Sequence, residues 1–164
     1  MIASRDGAAL EAAAKEIKAK TGAEVKWKVA DLSQRGVAED LAKWAGDVEV
    51  LVNNAGAIPG GDLLKVDEDT WRKSWDLKVF GYINLTRAVY TQMKAKKKGA
   101  IVNVLGNAGE KLNAAYIAGS TANAGLMAFT RALGGASRAD GILVSGRRPG
   151  AVGPGPPRTA CKTG

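Results

Sequence analysis

The segment Val48-Glu49-Val50-Leu51-Val52-Asn53-Asn54-Ala55-Gly56 constrains the fold of this chain more than any other stretch. Four of its first five residues are β-formers, and two amides and a glycine follow at once, which predicts a buried parallel strand that ends in a sharp polar turn. In open α/β sheets, ligands bind at the carboxyl ends of the strands. The paired Asn side chains are therefore expected either to hold a ligand or to tie neighbouring strands together, and the glycine lets a ligand approach the backbone.

The rest of the chain alternates helical and strand patterns. Apolar residues spaced by three and four, together with capping and helix-breaking residues, predict four helices: from Ser4 or Asp6 to Lys20, over 34–44, from Asp67 or Asp69 to Met93, and over 114–133. Runs of β-forming residues predict strands over 25–30, 100–105 and 142–144. This order predicts an α/β fold with a doubly wound parallel sheet. Glycine and proline dominate from Gly146 onward, so we expect one domain over 1–145 and a flexible tail over 146–164.

Composition removes several classes of function. The chain has no histidine, and its one cysteine, Cys161, lies in the predicted tail, which excludes Ser-His-Asp and Cys-His catalysis, intramolecular disulfides and nearly every transition-metal site. We therefore expect no metal site. No apolar run approaches the ~20 residues of a membrane span, and no leader opens the chain, which predicts a soluble, cytoplasmic protein.

The net charge of +8 raises nucleic-acid binding as a further hypothesis. The basic residues cluster poorly, however. Only Lys94 and 96–98 lie close together, and they fall where a helix is predicted to end. Solvation and favourable interaction with the helix dipole account for them more simply, so a basic nucleic-acid-binding domain is the weakest of the hypotheses.

Three motifs together resemble the short-chain dehydrogenase/reductase family. They are Asn53-Asn54-Ala55-Gly56 after an apolar strand, Ala30-Asp31-Leu32 at the end of the previous strand, and Pro149-Gly150 after the last predicted strand. The resemblance covers roughly residues 2–153 and implies a Rossmann-like, three-layer α/β/α fold. It implies hydride transfer between a nicotinamide cofactor and a carbonyl or alcohol.

The resemblance also implies which residues contact the cofactor. Ser4-Arg5 lies where family members grip the 2′-phosphate of NADP, Asp31 and Leu32 lie at the adenine, and Pro149-Gly150 lies on the nicotinamide side. The resemblance also implies that residues 53–56 contact the cofactor. An Arg can fork onto a phosphate, which favours NADP, with NAD as the alternative. An ordinary solvated Arg5 near the chain terminus is an equally good interpretation.

The catalytic positions of the family are altered. Its chemistry needs a Tyr, a Lys four residues later that lowers the Tyr pKa, a Ser on the preceding strand and an Asn on the long helix. Alignment on Thr86-Arg87-Ala88 places Lys78 at the Asn, and a register without gaps places Gly106, Gly119 and Asn123 at the Ser, Tyr and Lys. A second register keeps Tyr116 as the catalytic Tyr and places Ser120 at the Lys.

Both registers lack the Lys, so we expect impaired proton transfer. Tyr116 is then the one acid-base candidate, and Lys78 is a candidate for supplying the missing positive charge from the long helix. A Tyr packed at a helix start and a Lys drawn to solvent are the alternative interpretation. The chain is thus predicted to be either an impaired oxidoreductase or a non-catalytic pseudoenzyme or assembly subunit.

Complete family members begin with a strand and a Gly-rich turn that cradles the cofactor pyrophosphate. Neither precedes Met1 here. We therefore expect a truncated chain that lacks the first strand and its Gly-rich turn, and Met1-Ile2-Ala3 is interpreted as the last residues of an otherwise missing second strand. Without the turn, cofactor binding is open to loss. The resemblance also implies a homodimer or homotetramer formed through the helices over 67–97 and 114–133.

Overall fold

The computed structural model describes residues 1–56 and 58–148. Its strands are β1 (Ile2–Ser4), β2 (Trp27–Val29), β3 (Val50–Asn53), β4 (Gly99–Val104) and β5 (Ile142–Arg147). Its helices are α1 (Gly7–Thr21), α2 (Val37–Ala45), α3 (Glu68–Trp75), α4 (Gly81–Lys96) and α5 (Ile117–Ser137). Short 3₁₀ turns cover Asn107–Gly109 and Arg138–Asp140. The predicted alternation of helices and strands is confirmed, with boundaries that shift by a few residues.

Local side chains set the helix ends as the sequence predicted. The backbone N–H of Ala9 donates to Asp6 Oδ1 at 3.0 Å, so Asp6 rather than Ser4 caps α1. Gly22 ends α1 in the left-handed conformation and donates to the Lys18 carbonyl at 2.8 Å. Asp67 caps α3 by accepting from the backbone N–H of Thr70 at 2.7 Å.

The long helix predicted from Asp67 or Asp69 to Met93 is interrupted. A π-helical turn, Asp76–Phe80, separates α3 from α4. Apolar residues spaced by three and four do not distinguish such a turn from a continuous α-helix, because one inserted residue only rotates the apolar face. The turn carries Lys78.

The parallel strands form two sheets in the orders β1-β2 and β3-β4-β5. Residues of β1 and β3 face each other across shared clefts, so a slot separates the two sheets. The connection from β1 to β2 runs toward one edge of the sheets, and the connection from β2 to β3 runs in the opposite direction. Because both crossovers are right-handed, α1 and α2 lie on opposite faces. The residues at the start of the chain, which the sequence analysis interprets as the last part of a second strand, form the three-residue strand β1, and Ile2–Ser4 pairs in parallel with Trp27–Val29.

The main core lies under one face of the sheets. Ile101 and Ile142 point from β4 and β5 onto α4, where Val89 and Met93 are fully buried. A second cluster joins α4 to α5 through Tyr82, Leu105, Leu126 and Met127. The other face of β3 and β5 exposes Val50, Val52 and Leu143. Within the described ranges, that face of the larger sheet is therefore not buried.

The last strand runs further than the sequence predicted. β5 pairs with β4 as far as Arg147, so Gly146 and Arg147, the first two residues of the predicted tail, belong to the sheet. Parallel pairing satisfies their backbone groups and overrides the low strand propensity of glycine. Pro149, Gly150 and the remainder of the predicted tail lie outside the described residues. Across the part of the chain that is described, no helix is long and apolar enough to span a bilayer.

Candidate functional site

A cleft of about 460 Å³ opens at the carboxyl ends of β1, β2 and β3. Most of the predicted cofactor-contacting residues line it. They are Ser4, Arg5, Leu32, Asn53, Asn54, Ala55 and Gly56. The cleft therefore brings together segments that are about fifty residues apart in the sequence, at the end of the sheet where α/β proteins bind ligands.

Asp31 lies between two cleft residues, Ala30 and Leu32, and its carboxylate is turned toward Ser33. Its Oδ1 accepts hydrogen bonds from the Ser33 hydroxyl at 2.7 Å and from the Ser33 backbone N–H at 3.0 Å. The Ser33 hydroxyl lowers the pKa of Asp31 most, and burial opposes this effect. The Ser33 backbone N–H and, least of all, the positive charge of Arg5 lower the pKa of Asp31 further. The carboxylate of Asp31 is therefore held in place by Ser33, near the positive charge of Arg5, which lines the cleft.

The side chain of Asn53 has a structural role. It is buried, and its amide nitrogen donates to Asn103 Oδ1 at 2.9 Å and to the Thr86 hydroxyl at 3.0 Å. Asn103 in turn donates to the Thr130 hydroxyl at 2.9 Å. This ladder ties β3, β4, α4 and α5 together, which is the second of the two roles predicted for the paired amides. The exposed Asn54 is left at the cleft.

The sequence analysis did not identify the other members of this ladder. Asn103 interrupts the apolar run Ile101-Val102-Asn103-Val104-Leu105, and a lone amide in a buried strand requires a polar partner. That interruption was the available signal. The partners themselves, Thr86 and Thr130, lie on helices and carry no signal of their own.

Lys78 packs against the glycine of the Asn-Asn-Ala-Gly segment. Gly56 has φ of +146°, and a Cβ built there would lie 3.0 Å from the Lys78 Cγ and Cδ atoms. The Lys78 ammonium lies over the ring of Tyr82, 5.2 Å from its centroid. Burial lowers the pKa of Lys78 and raises that of Tyr82, whose hydroxyl donates to the Val104 carbonyl. The aromatic neighbour of this cation is thus Tyr82, not Tyr116.

Tyr116 lies across the first turn of α5. A Cβ built on Gly119 would lie 1.9 Å from Tyr116 Cζ and 2.5 Å from its hydroxyl oxygen, so the ring occupies the space beside this glycine. Bonds from Gly61 N to the Ala115 carbonyl and from Ile117 N to the Gly61 carbonyl hold this segment. Burial raises the pKa of Tyr116, which is the opposite of the shift that a neighbouring cation would cause.

Gly106 and Gly119 each form a hydrogen bond with Asn123. Asn123 is buried, its Oδ1 accepts from the Gly106 backbone N–H at 2.6 Å, and its amide nitrogen donates to the Gly119 carbonyl at 2.7 Å. These are the three positions that the register without gaps assigns to the Ser, Tyr and Lys. In the second register, the hydroxyl of Ser120 accepts from the Asn113 backbone N–H at 3.1 Å. Asn123 and Ser120, which the two registers place at the position of the Lys, therefore both lack an amine.

Comparison with known proteins gives a consistent result. The family model described as short chain dehydrogenase matches residues 1–159. An acetoacetyl-CoA reductase of Shinella zoogloeoides is 36% identical over 145 residues, which is 86% of this chain and 59% of the relative. The crystal structure of a metagenomic short-chain oxidoreductase in complex with NADP is 30% identical, with a TM-score of 0.84 over 92% of this chain and 69% of that one.

A third similar protein is also a solved structure. It is a short-chain oxidoreductase of Pseudomonas aeruginosa PAO1, described as containing an atypical catalytic center, with 26% identity and a TM-score of 0.80 over 88% of this chain and 57% of that one. The chain spans about six tenths of the length of the curated relative from Shinella. The parallel sheets, the carboxyl-end cleft and the family match lead to one conclusion: this chain belongs to the short-chain dehydrogenase/reductase family of oxidoreductases.

Proposed function

We propose that the chain is an NADP-directed member of this family whose cleft at β1–β3 takes the adenosine-phosphate half of the cofactor, and that its proton-transfer step is impaired. The observation that carries the cofactor assignment is Arg5 at the mouth of the 460 Å³ cleft, opposite the Asn54–Gly56 segment. The reaction would be hydride transfer at a carbonyl or alcohol, as the names of the relatives suggest.

The lining of the cleft fits such a group. Arg5 offers a forked donor for a phosphate, and Leu32 and Ala55 offer apolar contact for a flat base. The fixed carboxylate of Asp31 suits an exocyclic amine. NADP brings a hydride donor or acceptor when it is bound, while these side chains would orient its adenosine end.

The cofactor proposal is tested by titrating NADPH and NADH into the chain and following protein-to-nicotinamide energy transfer. Arg5→Glu is expected to weaken NADPH binding by about tenfold or more, since a charge-assisted bond contributes ~1.5–3 kcal/mol. Binding of NADH should change little. Lys43→Glu, which makes the same charge reversal on the exposed surface of α2, is the matched control. An equal loss for both nucleotides would overturn the assignment of Arg5 to the 2′-phosphate.

The proposal of impaired proton transfer rests on Asn123. A neutral amide tied to Gly106 and Gly119 cannot stabilise a phenolate, and burial alone raises the pKa of Tyr116. Proton transfer by a positioned side chain contributes about 10²–10⁴-fold to rate. NADPH oxidation with acetoacetyl-CoA is therefore expected to be at least about a hundredfold slower than for the Shinella relative assayed beside it.

Residual turnover would discriminate between the roles of the two candidate catalytic residues. If Lys78 supplies the missing charge to Tyr116, then Lys78→Met and Tyr116→Phe should each abolish the residual rate and should not be additive. If both residues only pack, both variants should retain the residual rate. Turnover that matched the relative would contradict the impairment.

A second candidate function, an assembly subunit without chemistry, is favoured by one feature. Phe80 is half exposed at the end of the π-helical turn between α3 and α4, and it lines a groove together with Trp71 and Trp75. Sedimentation velocity tests it. Phe80→Asp should convert a homo-oligomer to a monomer, whereas Leu112→Asp, on an exposed loop residue, should not.

A further inference from the structure

Lys78 is a partly buried lysine without a polar partner. Lysines on the surface pair with carboxylates, as Lys94 pairs with Asp140 at 3.1 Å and Lys98 with Glu49 at 2.7 Å. Within residues 1–56 and 58–148, the ammonium of Lys78 neither forms an ion pair nor donates a hydrogen bond. Burial of an amine without such a partner penalises its charged form.

The side chain of Lys78 lies beside the carboxyl ends of two neighbouring strands, β3 and β4. Its stem packs against Gly56, which follows β3, and a Cβ built on that glycine would lie 3.0 Å from the Lys78 Cγ and Cδ atoms. Its Nζ lies over the ring of Tyr82, whose hydroxyl donates to the carbonyl of Val104, the last residue of β4, at 3.0 Å. The amine therefore lies at the end of the sheet where α/β proteins bind ligands.

The titratable side chains described around this amine provide no negative charge for it. Tyr82 is fully buried, and burial raises its pKa, so its hydroxyl stays neutral. Burial also raises the pKa of Tyr116, at the start of α5. Asp76 belongs to the same π-helical turn as Lys78, but it is exposed and forms no ion pair with Lys78. The Tyr82 ring is therefore the partner of the ammonium, and a neutral ring attracts a cation less strongly than a carboxylate does.

The π-helical turn that carries Lys78 is held on both sides. Leu77, the preceding residue, is buried and lines the cleft at β1–β3. Trp75, just before the turn, donates from its indole Nε1 to the Ala118 carbonyl of α5 at 3.4 Å. Single π-helical turns inside α-helices are frequent at functional sites. The backbone thus fixes the direction of the Lys78 side chain.

These surroundings favour the neutral form of the amine. Burial lowers the pKa of Lys78. Because the charged form is the protonated one, a lower pKa increases the neutral fraction at neutral pH, by about tenfold for each pH unit. The neutral amine is the nucleophile, and desolvated lysines form Schiff bases with carbonyl compounds.

We propose that the Nζ of Lys78 is a nucleophile that forms an imine with a small aliphatic aldehyde at the carboxyl ends of β3 and β4. The lone pair of the nitrogen forms a bond to the carbonyl carbon, and the proton that the nitrogen loses passes to the carbonyl oxygen. Loss of water from this carbinolamine then gives the C=N bond. The step consumes no oxidant or reductant. The proposal rests on the surroundings of one amine, and not on the assignment of NADP to the cleft.

The test traps the imine in the whole chain, without nucleotide. Butanal is added in limiting amount with sodium cyanoborohydride, which reduces an imine to a stable secondary amine, and peptide mass spectrometry locates the label. Lys28 is the internal control, because it is also partly buried and lies over an aromatic ring, that of Trp44, at 5.8 Å. We expect at least about tenfold more label on Lys78 than on Lys28 at neutral pH. Equal labelling, or more label on Lys28, would overturn the proposal.

A pH series separates an activated amine from one that is merely accessible. Trace acetylation with acetic anhydride reports the neutral fraction of each lysine. The ratio of Lys78 to Lys28 acetylation should be high at neutral pH and should fall in strongly alkaline buffer, where both amines are neutral. A ratio that stayed constant would mean that access alone sets the selectivity, and would overturn the assignment of Lys78 as an activated nucleophile.

Two variants check the labelled position. Lys78→Arg keeps a positive charge on a similar stem but cannot form an imine, so most of the butanal incorporation at neutral pH should be lost. Lys28→Arg makes the same change at the control position and should leave the incorporation nearly unchanged. Equal incorporation in the two variants would contradict the proposal. Should Lys78→Arg fold poorly, the comparison of the two lysines within the unmodified chain still decides.

Discussion

Gly119 shows how a missing side chain organises the candidate site. Its lack of a Cβ lets the Tyr116 ring lie over the first turn of α5, and Asn123 binds its carbonyl one turn later. The same helix carries Gly125, where an added Cβ would meet no atom within 4 Å. Both glycines lie in the same helix, but a Cβ would collide with a side chain only at Gly119. The two positions are therefore a matched pair for substitution by alanine.

Gly119→Ala is predicted to displace the Tyr116 ring. Because the ring occupies the position of the new methyl group, the usual gain of ~0.5–1 kcal/mol for Gly to Ala in a helix should be lost or reversed. Gly125→Ala should show that gain in the free energy of unfolding, measured by urea titration. Tyr116 should also become more reactive to iodination in Gly119→Ala alone. A similar gain for both variants would contradict the placement of the ring.

The amide ladder gives a second prediction at the residue scale. Asn103→Leu removes the acceptor of Asn53 and the donor to Thr130 within a fully buried region. The unpaired groups should cost ~1–3 kcal/mol in the free energy of unfolding. Asn54→Leu, in the exposed neighbour of Asn53, is the control and should cost little. Equal effects from the two would mean that the ladder contributes nothing to stability.

The sequence indicated those residues of the candidate site that belong to a motif with a particular backbone conformation at the end of a strand. The Asn53–Gly56 segment, Ser4-Arg5 and Leu32 line one cleft, and their contact with a cofactor stays a prediction. The partners of Asn53 and the contact between Asn123 and Gly106 were not predictable, because they depend on how α4 and α5 pack across the sheet. The packing of Lys78 against Gly56 follows from the π-helical turn, which has no distinct sequence pattern.

At the scale of elements, Asp140 connects the end of α4 to the turn that leads into β5. Its carboxylate accepts from the Tyr90 hydroxyl at 2.7 Å and pairs with the Lys94 ammonium at 3.1 Å. The bond from Tyr90, followed by the contacts with Lys94, lowers the pKa of Asp140. Burial, followed by the bond to Asp140, raises the pKa of Tyr90 to about 12. Three residues thus fix the position of β5 against α4.

This contact predicts a pH-dependent stability. The folded-state pKa of Asp140 lies below its ordinary value of 3.8, so its contribution is complete above that pH and is lost as the pH falls through the lowered pKa. Asp140→Asn should have a lower thermal midpoint than the parent at neutral pH, and this difference between the two midpoints, the gap, should disappear in strongly acidic buffer. Tyr90→Phe should show a smaller gap. Thermal midpoints across the pH range measure it, and a gap that widened in acid would contradict the assignment.

The elements themselves followed from the sequence to within a few residues. Asp6, Gly22, Gly46 and Asp67 end or begin helices where capping rules place them. The extension of β5 to Arg147 could not be predicted, because pairing with β4 rather than local propensity sets it. For the same reason Ile2–Ser4 was not assigned with certainty: a three-residue strand exists only through its neighbour β2.

At the scale of the whole fold, residues 1–56 and 58–148 leave one face of the larger sheet open. Val50, Val52 and Leu143 are 58%, 56% and 55% exposed, on the face opposite the α4 core. Side chains alternate across a strand, so these residues share a surface with the partly buried Val102. A contiguous apolar surface of this kind differs from a lone exposed side chain such as Leu64, which is 95% exposed in a loop.

The native chain is therefore predicted to bind the dye ANS, and the open face should be the main site. The triple variant Val50→Thr, Val52→Thr and Leu143→Thr should reduce ANS fluorescence by roughly half or more, because it interrupts the apolar surface. Thr keeps the β-branched shape, so the unfolding midpoint should change little. Leu64→Thr removes a more exposed leucine from an isolated position and should leave the fluorescence nearly unchanged. If Leu64→Thr had the larger effect, the dye would be reporting single side chains, and the sheet face would carry no continuous apolar surface.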